Sequence, residues 1–388
     1  MASILYICCQ DDFEKFVEES VGCHLLALDT EFLRENTYHP RLCLLQLATE
    51  NDVALIDPFE IDDLAPLSRL LTDESMMKIV HSGRQDIEIL YTELGVMPWP
   101  IFDTQIAATL LGYTQQIGYG PLVQAECGVT LQKLDSFTDW SKRPLVKSQL
   151  EYAADDVVYL PRVYRSMRDR LEQKGRLSWL EGDFRALVDP KRYEANPYER
   201  YLHLKKVNQL NRRQLSAARE LAAWREKRAE ELDIPRKRVM TDEQVVEACR
   251  REARTIDQLF MVRGMHERLS TSSARQVVKC IATGLDAAND TWPQLSHAPK
   301  SQRNVDAEVD LMTALARKRA KEYGVAFQTL VSHEDLRALA RGQQEGVAVL
   351  EGWRYDMIGR ELLDLLDGKI SLSISNHHLK VKSTKIAS

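Results

Sequence analysis

The stretch Leu25-Leu26-Ala27-Leu28-Asp29-Thr30-Glu31-Phe32 restricts the possible folds of this chain more than any other. An apolar run of this length reads as a buried strand, and it ends in two carboxylates at i and i+2. Side chains at that spacing on a strand point to the same face, so Asp29 and Glu31 stand side by side. Two neighbouring anions call either for a cation between them or for a strained, protonated carboxyl. A solvated strand end satisfies the pattern too. What separates these readings is whether the chain brings further oxygen ligands to the same place.

The surroundings of this strand read as mixed α/β. Strands are predicted at Ser3–Cys8, His24–Asp29, Arg41–Ala48 and Val53–Asp57, with a helix over Asp12–Glu19, and the short spacing of the last three suggests an antiparallel meander. From residue 62 the pattern becomes helix, strand, helix: Asp62–Leu71, Lys78–His81 and Asp86–Leu94, stopped by Gly95. Ile101–Asp103 reads as a last strand, followed by short helices at Thr104–Leu111 and Gly120–Gly128. A long helical pattern over Leu150–Leu171 closes this region, with a kink expected at Pro161.

Beyond a connector at 173–207 the chain is helical and repeats itself. Arg225-Glu226-Lys227-Arg228-Ala229-Glu230-Glu231-Leu232-Asp233-Ile234 returns as Ala316-Arg317-Lys318-Arg319-Ala320-Lys321-Glu322-Tyr323-Gly324-Val325, an offset of 91. Thr241-Asp242-Glu243-Gln244-Val245 returns as Ser332-His333-Glu334-Asp335-Leu336 at the same offset, each a helix start with a hydroxyl cap. The domain reading is therefore 1–172, connector 173–207, a helical domain at 208–289, a hinge over residues 290–301, a second helical domain at 302–372, and a polar, disordered tail at 376–388.

Charge divides the chain the same way. Residues 1–200 carry 20 Lys+Arg against 33 Asp+Glu, while residues 201–388 carry 32 against 25. An acidic half suits a cation site, and a basic half suits a polyanion. The excess concentrates in the first repeat, with 18 basic against 12 acidic residues over 201–286, where the second has 14 against 13 over 287–388. The seven cysteines are scattered with no C-x-x-C, which reads as reduced thiols in a cytoplasm, not a disulfide or zinc framework. No apolar run approaches the ~18 residues of a membrane span and no leader pattern is visible, so no membrane partner is expected. No G-x-x-x-x-G-K-[ST] loop is present to hold a nucleoside triphosphate.

Two further acidic positions extend the opening pair. In His81-Ser82-Gly83-Arg84-Gln85-Asp86, a strand ends, a glycine turn follows and Asp86 begins a helix, where a first-turn acid favoured by the helix dipole is the plain reading. In Tyr152-Ala153-Ala154-Asp155-Asp156, Tyr152 and Asp156 are i and i+4 on one helix face; a partly exposed face is the plain reading. Taken in order, D-x-E, D and Y-x-x-x-D resemble the DEDD superfamily of 3′→5′ exonucleases, in the subgroup with tyrosine in its third motif. Leu28–Phe32, the His81–Leu90 block and Ser141-Lys142-Arg143-Pro144-Leu145 leading into Tyr152–Leu160 are similar to the bacterial ribonuclease D family, and the helical repeats resemble its HRDC domains.

The resemblance covers nearly the whole chain. It implies an α/β RNase H-like exonuclease domain, a mixed sheet flanked by helices, followed by two all-α HRDC domains. It implies as catalytic residues Asp29, Glu31, Asp86, Tyr152 and Asp156, the four carboxylates binding two divalent ions, Mg²⁺ or Mn²⁺. Hard oxygen donors agree with those metals, and a pair of ions suits in-line attack on a phosphodiester. Asp29, Glu31 and Asp156 are assigned to the ion beside the nucleophile, with Asp29 also reaching the second. Asp86 is expected to act through water or the second ion, and Tyr152 to orient the attacking water. Glu151 occupies the place where related enzymes carry histidine. Asp155 is turned ~100° from Asp156 on the helix and is left out, and Asp103 reads as a structural cap.

Secondary candidates concern the RNA. Lys142 and Arg143 precede the third motif and could hold phosphates, as could His81, although loop charge and a packed turn histidine are the default readings. Arg212-Arg213 and Arg236-Lys237-Arg238 are the clusters of the first repeat that could meet RNA. The expected activity is removal of single nucleotides, as nucleoside 5′-monophosphates, from RNA 3′ ends, with tRNA precursors and other structured RNAs as substrates, by a monomer. A Werner-type exodeoxyribonuclease and a catalytically silent RNA-binding scaffold are the competing readings.

Overall fold

The computed structural model describes residues 3–131, 138–194, 196–295 and 303–384. Six strands form one sheet: β1 (Ser3–Ile7), β2 (Leu25–Leu33), β3 (Arg41–Ala48), β4 (Asp52–Ile56), β5 (Met77–Val80) and β6 (Ile101–Asp103), in the order β1-β4-β3-β2-β5-β6. β2, β3 and β4 are antiparallel as a meander should be, while β1, β5 and β6 join in parallel. The strand with the paired acids thus lies inside the sheet, and Leu26, Leu28, Leu44, Leu45 and Leu47 are fully buried around it.

Helices α1 (Gln10–Ser20), α2 (Ser68–Leu71), α3 (Arg84–Leu94), α4 (Thr104–Thr109), α5 (Tyr119–Cys127), α6 (Lys147–Val158) and α7 (Leu160–Gln173) accompany the sheet. α6 packs on β2, β3 and β4 through Ala153, Ala154 and Val157, whose small and branched side chains let helix and sheet approach. The helical pattern over Leu150–Leu171 is two helices where one kinked helix was expected. Pro161, second in α7, has no N–H to continue the ladder, and the chain breaks at Tyr159. The connector also has structure, chiefly α8 (Glu181–Leu187) and short 3₁₀ turns.

The first helical repeat comprises α9 (Arg212–Glu231), α10 (Arg236–Val239), α11 (Asp242–Arg250), α12 (Ile256–Phe260) and α13 (Thr271–Leu285), with a core of its own. In the second, α14 (Asp306–Tyr323), α15 (Phe327–Leu330) and α16 (His333–Ala340) follow the same order, α10 and α15 lying 91 residues apart at both ends. After α16 the copies diverge. α17 (Gly352–Arg354) and α18 (Arg360–Leu366), joined by a π-helical turn, stand nearer to α16 than α13 does to α11.

The second copy shares one continuous core with the sheet domain. Arg176 donates to the carbonyls of Leu110 at 2.8 Å and Tyr323 at 2.6 Å, Ala326 N donates to Thr109 O, and Trp179 stacks on Trp353 with centroids 4.7 Å apart. Part of the expected hinge, residues 296–301, lies outside the described residues, as do 385–388 of the expected tail. Within that tail the structure departs from the expectation of disorder: β8 (His378–Ser383) pairs as a hairpin with β7 (Ile370–Ser375), which lies just before it. Its reason is alternation, Leu379 and Val381 facing inward between exposed His378, Lys380 and Lys382. Among the described residues no helix is long and apolar enough to cross a membrane.

Candidate active site

Asp29 and Glu31 pair with Gln46 and Leu44 of β3, and the register shifts by a bulge directly after Glu31. Both acids therefore stand on one face just before β2 twists away. Asp86 arrives from the neighbouring strand. β5 ends at Val80, Ser82 takes a left-handed φ of 59°, and α3 begins at Arg84. A Cβ at Gly83 would stand 2.5 Å from Val80 Cγ2, so glycine alone fits this turn. The same turn is held by Asp103, 2% exposed, which accepts from the amides of Ser82, Gly83, Gln105 and Ile106 at 2.8–3.2 Å. Asp103 is thus the structural cap that its position suggested, for α4 and for the turn before Asp86.

Tyr152 and Asp156 come from one face of α6, one turn apart, close enough that phenol and carboxylate shift each other's protonation. The ring of Trp140 lies 6.2 Å from that of Tyr152. Beside them opens a cavity of about 530 Å³ whose wall includes Tyr119, Pro121, Gln124, Leu131, Tyr152 and Asp156. Tyr119 is a residue that the sequence reading missed. Its hydroxyl donates to the Asp155 carbonyl at 3.1 Å, and its ring lies 5.4 Å from that of His81.

The four acids repel one another. Burial, then the charges of Asp86, Asp156 and Glu31, push Asp29 well above the usual carboxylate range. Glu31 rises to about 8 through burial and then the charges of Asp156 and Asp86. Asp86, 6% exposed, rises to about 6 by burial, with the Thr30 hydroxyl bond opposing the shift. Asp156 rises to about 7 by burial and the adjacent Asp155, against the bond from Tyr152. Among the described residues, no basic side chain is a leading cause of any of these four shifts.

A divalent cation fits that donor set: clustered hard oxygens whose shared repulsion it would relieve. The cage is not closed in this conformation. Among the described residues no group of three or more His, Cys, Asp or Glu side chains is arranged to hold a metal ion. Asp86 is held from the protein side, its Oδ1 accepting from Thr30 Oγ1 at 2.5 Å. Burial and the surrounding acids raise the Tyr152 phenol above its ordinary value, which keeps it a hydrogen-bond donor.

Most of the secondary candidates are engaged elsewhere. Arg143 spends all five donors inside the protein, on both Asp57 oxygens and the carbonyls of Cys43, Trp140 and Lys142, so it locks the loop before α6 and leaves nothing for a phosphate. Both ring nitrogens of His81 are bonded, to Thr104 Oγ1 and Ile117 O, which makes it a packed turn histidine. Arg212 donates to Trp292 O and Arg213 to Leu285 O, fastening α9 to the segment around the end of α13. Arg236 pairs with Glu226, and Arg238 donates to Asn36 of the β2–β3 loop. Lys142 and Lys237 remain exposed, Lys142 at 3.7 Å from Asp139.

Comparison with known proteins agrees with this architecture. A family model described as 3′-5′ exonuclease matches residues 4–172, and one for the HRDC domain matches residues 214–281. The chain is 38% identical over 364 residues to ribonuclease D of Sphingobium indicum, covering 93% of this chain and 94% of that one. It is likewise 38% identical to ribonuclease D of Acidiphilium cryptum, covering 92% and 91%. Among solved structures, Escherichia coli RNase D, described as an exoribonuclease involved in structured RNA processing, superposes with a TM-score of 0.80 at 28% identity, covering 94% and 99%.

Proposed function

We propose, for a chain that belongs to the ribonuclease D family, that the acidic site at the end of β2 removes nucleotides one at a time from RNA 3′ ends. The protein is a hydrolase, a 3′→5′ exoribonuclease. Water attacks the terminal phosphodiester in line, the bond to the 3′ oxygen of the preceding nucleotide breaks, and a nucleoside 5′-monophosphate leaves. The observation that carries this reading is the convergence of Asp29, Glu31, Asp86 and Asp156 from β2, α3 and α6 into one site where, among the described residues, burial and mutual repulsion are the leading causes of the raised carboxyls.

Two divalent ions, Mg²⁺ or Mn²⁺, are the cofactor that this donor set would take; when bound they supply charge stabilisation for the entering and leaving oxygens. Asp29, Glu31 and Asp156 would hold the ion that serves the attacking water, Asp29 would also serve the second ion, and Asp86 would contribute to the second ion or act through water. Tyr152 keeps its proton and orients the water by hydrogen bond. The cavity between α5 and α6 receives the last nucleoside, Tyr119, Pro121 and Leu131 offering a partly apolar wall to the base. Precursors of tRNA and other structured RNAs are the substrates that we assign, in a cytoplasmic setting consistent with seven unpaired cysteines, and the working unit is a monomer.

Matched RNA and DNA oligonucleotides, each with a free and a phosphorylated 3′ end, test the proposal. A one-nucleotide ladder from the free RNA end, slower on DNA and stalled by the block, is the expected result. Cleavage indifferent to the 3′ block would replace the exonuclease reading with an endonuclease.

A further inference from the structure

We infer that the β7–β8 hairpin at the end of the chain is a contact strip for the phosphate backbone of the RNA body, away from the 3′ end being trimmed; this rests on RNA being the substrate. Directly paired residues of two antiparallel strands share a face. The register pairs Ser371 with Lys382, Ser373 with Lys380 and Ser375 with His378. One face of the ribbon therefore carries two ammonium groups, an imidazole and the exposed hydroxyls of Ser371 and Ser375, all donors that phosphate oxygens accept, while the Ser373 hydroxyl on that face is buried. The opposite face is apolar, and Ile370, Leu372 and Val381 pack its base against the core while Ile374 near the turn is 78% exposed; Ser371, Ser375, His378, Lys380 and Lys382 of the polar face are all exposed.

Charge sharpens the assignment. No acidic residue follows Asp367 in the sequence. Lys369, at the base of the hairpin, is neutralised by Asp364 and Asp367. Lys380 and Lys382 are exposed, and among the described residues neither has a carboxylate within ion-pair distance. In a chain of net charge −6, whose other basic clusters largely fasten helices and loops together, these two cations are available to a polyanion. The competing account is that lysines on an edge strand discourage strand-to-strand association.

The test is the double variant Lys380→Ala/Lys382→Ala in the full chain, with Lys380→Arg/Lys382→Arg as the charge-retaining control. Binding of a structured RNA of tRNA length is measured in EDTA over a range of salt, and turnover of a tetranucleotide is measured with Mg²⁺. Loss of two phosphate contacts lowers the slope of log affinity against log salt by about 1.5, so the lead of wild type over the variant shrinks by about tenfold between ~50 and ~200 mM salt. The arginine control keeps the wild-type slope, and tetranucleotide turnover is unchanged because so short a substrate does not leave the active site. An unaltered slope overturns the inference, as does new self-association of the alanine variant with unaltered RNA affinity. A variant that loses tetranucleotide turnover in step with long-RNA binding overturns it too, since the hairpin would then act through the fold. Wild type that binds RNA without trimming it would instead count against the exonuclease reading, which the EDTA arm does not depend on.

Discussion

Thr30 lies between Asp29 and Glu31 in sequence, yet its hydroxyl reaches the other way, donating to Asp86 Oδ1 at 2.5 Å across to α3. Alternation along β2 sends Thr30 to the face opposite its acidic neighbours. The strand that carries two of the acids therefore also holds the third, and the fixed glycine turn at Gly83 and the amides bound by Asp103 leave Asp86 little freedom to drift.

Thr30→Val keeps the shape and removes the donor. A partner that orients a metal-binding side chain is worth about 10–100-fold in metal affinity or activity. We expect kcat/KM to fall by that factor, with a matching rise in the Mn²⁺ concentration needed for half-maximal turnover, while Thr30→Ser retains most of both. Titration of each variant with Mn²⁺ decides it.

Asp57, 1% exposed at its side chain, is bound by Arg143 and by the Tyr6 hydroxyl at 2.6 Å. Burial alone would raise its carboxyl; the bonds from Arg143, Tyr6 and the Phe59 amide outweigh it and hold the value below the ordinary one. A carboxyl depressed in the folded state contributes stability above its unfolded value of about 4 and loses it as pH falls through the lower folded value. Arg143→Ala leaves that buried charge without its cation, held only by the Tyr6 hydroxyl and the Phe59 amide, at a cost of up to about 3–5 kcal/mol. Denaturant unfolding at pH 7 and at about pH 3 should show the gap between wild type and variant narrowing at the lower pH.

Tyr119→Phe removes the bond to the Asp155 carbonyl while keeping the ring against His81. A hydrogen bond of this kind contributes about 1 kcal/mol, so stability should fall by about that much and turnover by roughly fivefold or less. A loss comparable to that of an acid would mean that Tyr119 meets the substrate's reacting atoms.

Glu226, 1% exposed at its side chain, accepts from Tyr38 at 2.6 Å and pairs with Arg200 and Arg236, joining α9 to the loop that continues β2. Tyr38→Phe removes one bond to a charged group, worth about 1.5–3 kcal/mol. Hydrogen exchange of the amides at residues 34–39 should accelerate in that variant while the strand amides of β3 do not change.

Legibility in the sequence followed the range of the interactions concerned. β2, the α3 stop at Gly95 and the matched starts of α11 and α16 were readable because each rests on local periodicity or a cap. The i,i+4 placement of Tyr152 and Asp156 followed from helix geometry. What escaped were partners far away in the chain. Nothing near Arg143 announces Asp57, 86 residues earlier, nothing near Arg238 announces Asn36, 202 residues earlier, and Tyr119 finds the Asp155 carbonyl only once α5 and α6 are packed. The hairpin escapes for another reason: its six-residue strands alternate serine or lysine with aliphatics, so their composition resembles a polar tail while their period is that of a strand.

The most direct measurement follows 5′-labelled RNA with Mg²⁺ or Mn²⁺ in wild type and in Asp29→Asn, with EDTA as the control. Wild type should shorten the RNA in single-nucleotide steps that EDTA stops, and Asp29→Asn should be nearly inactive while unfolding at a temperature no lower than that of the metal-free wild type. Turnover by Asp29→Asn at the wild-type rate would contradict a site organised around the acids of β2.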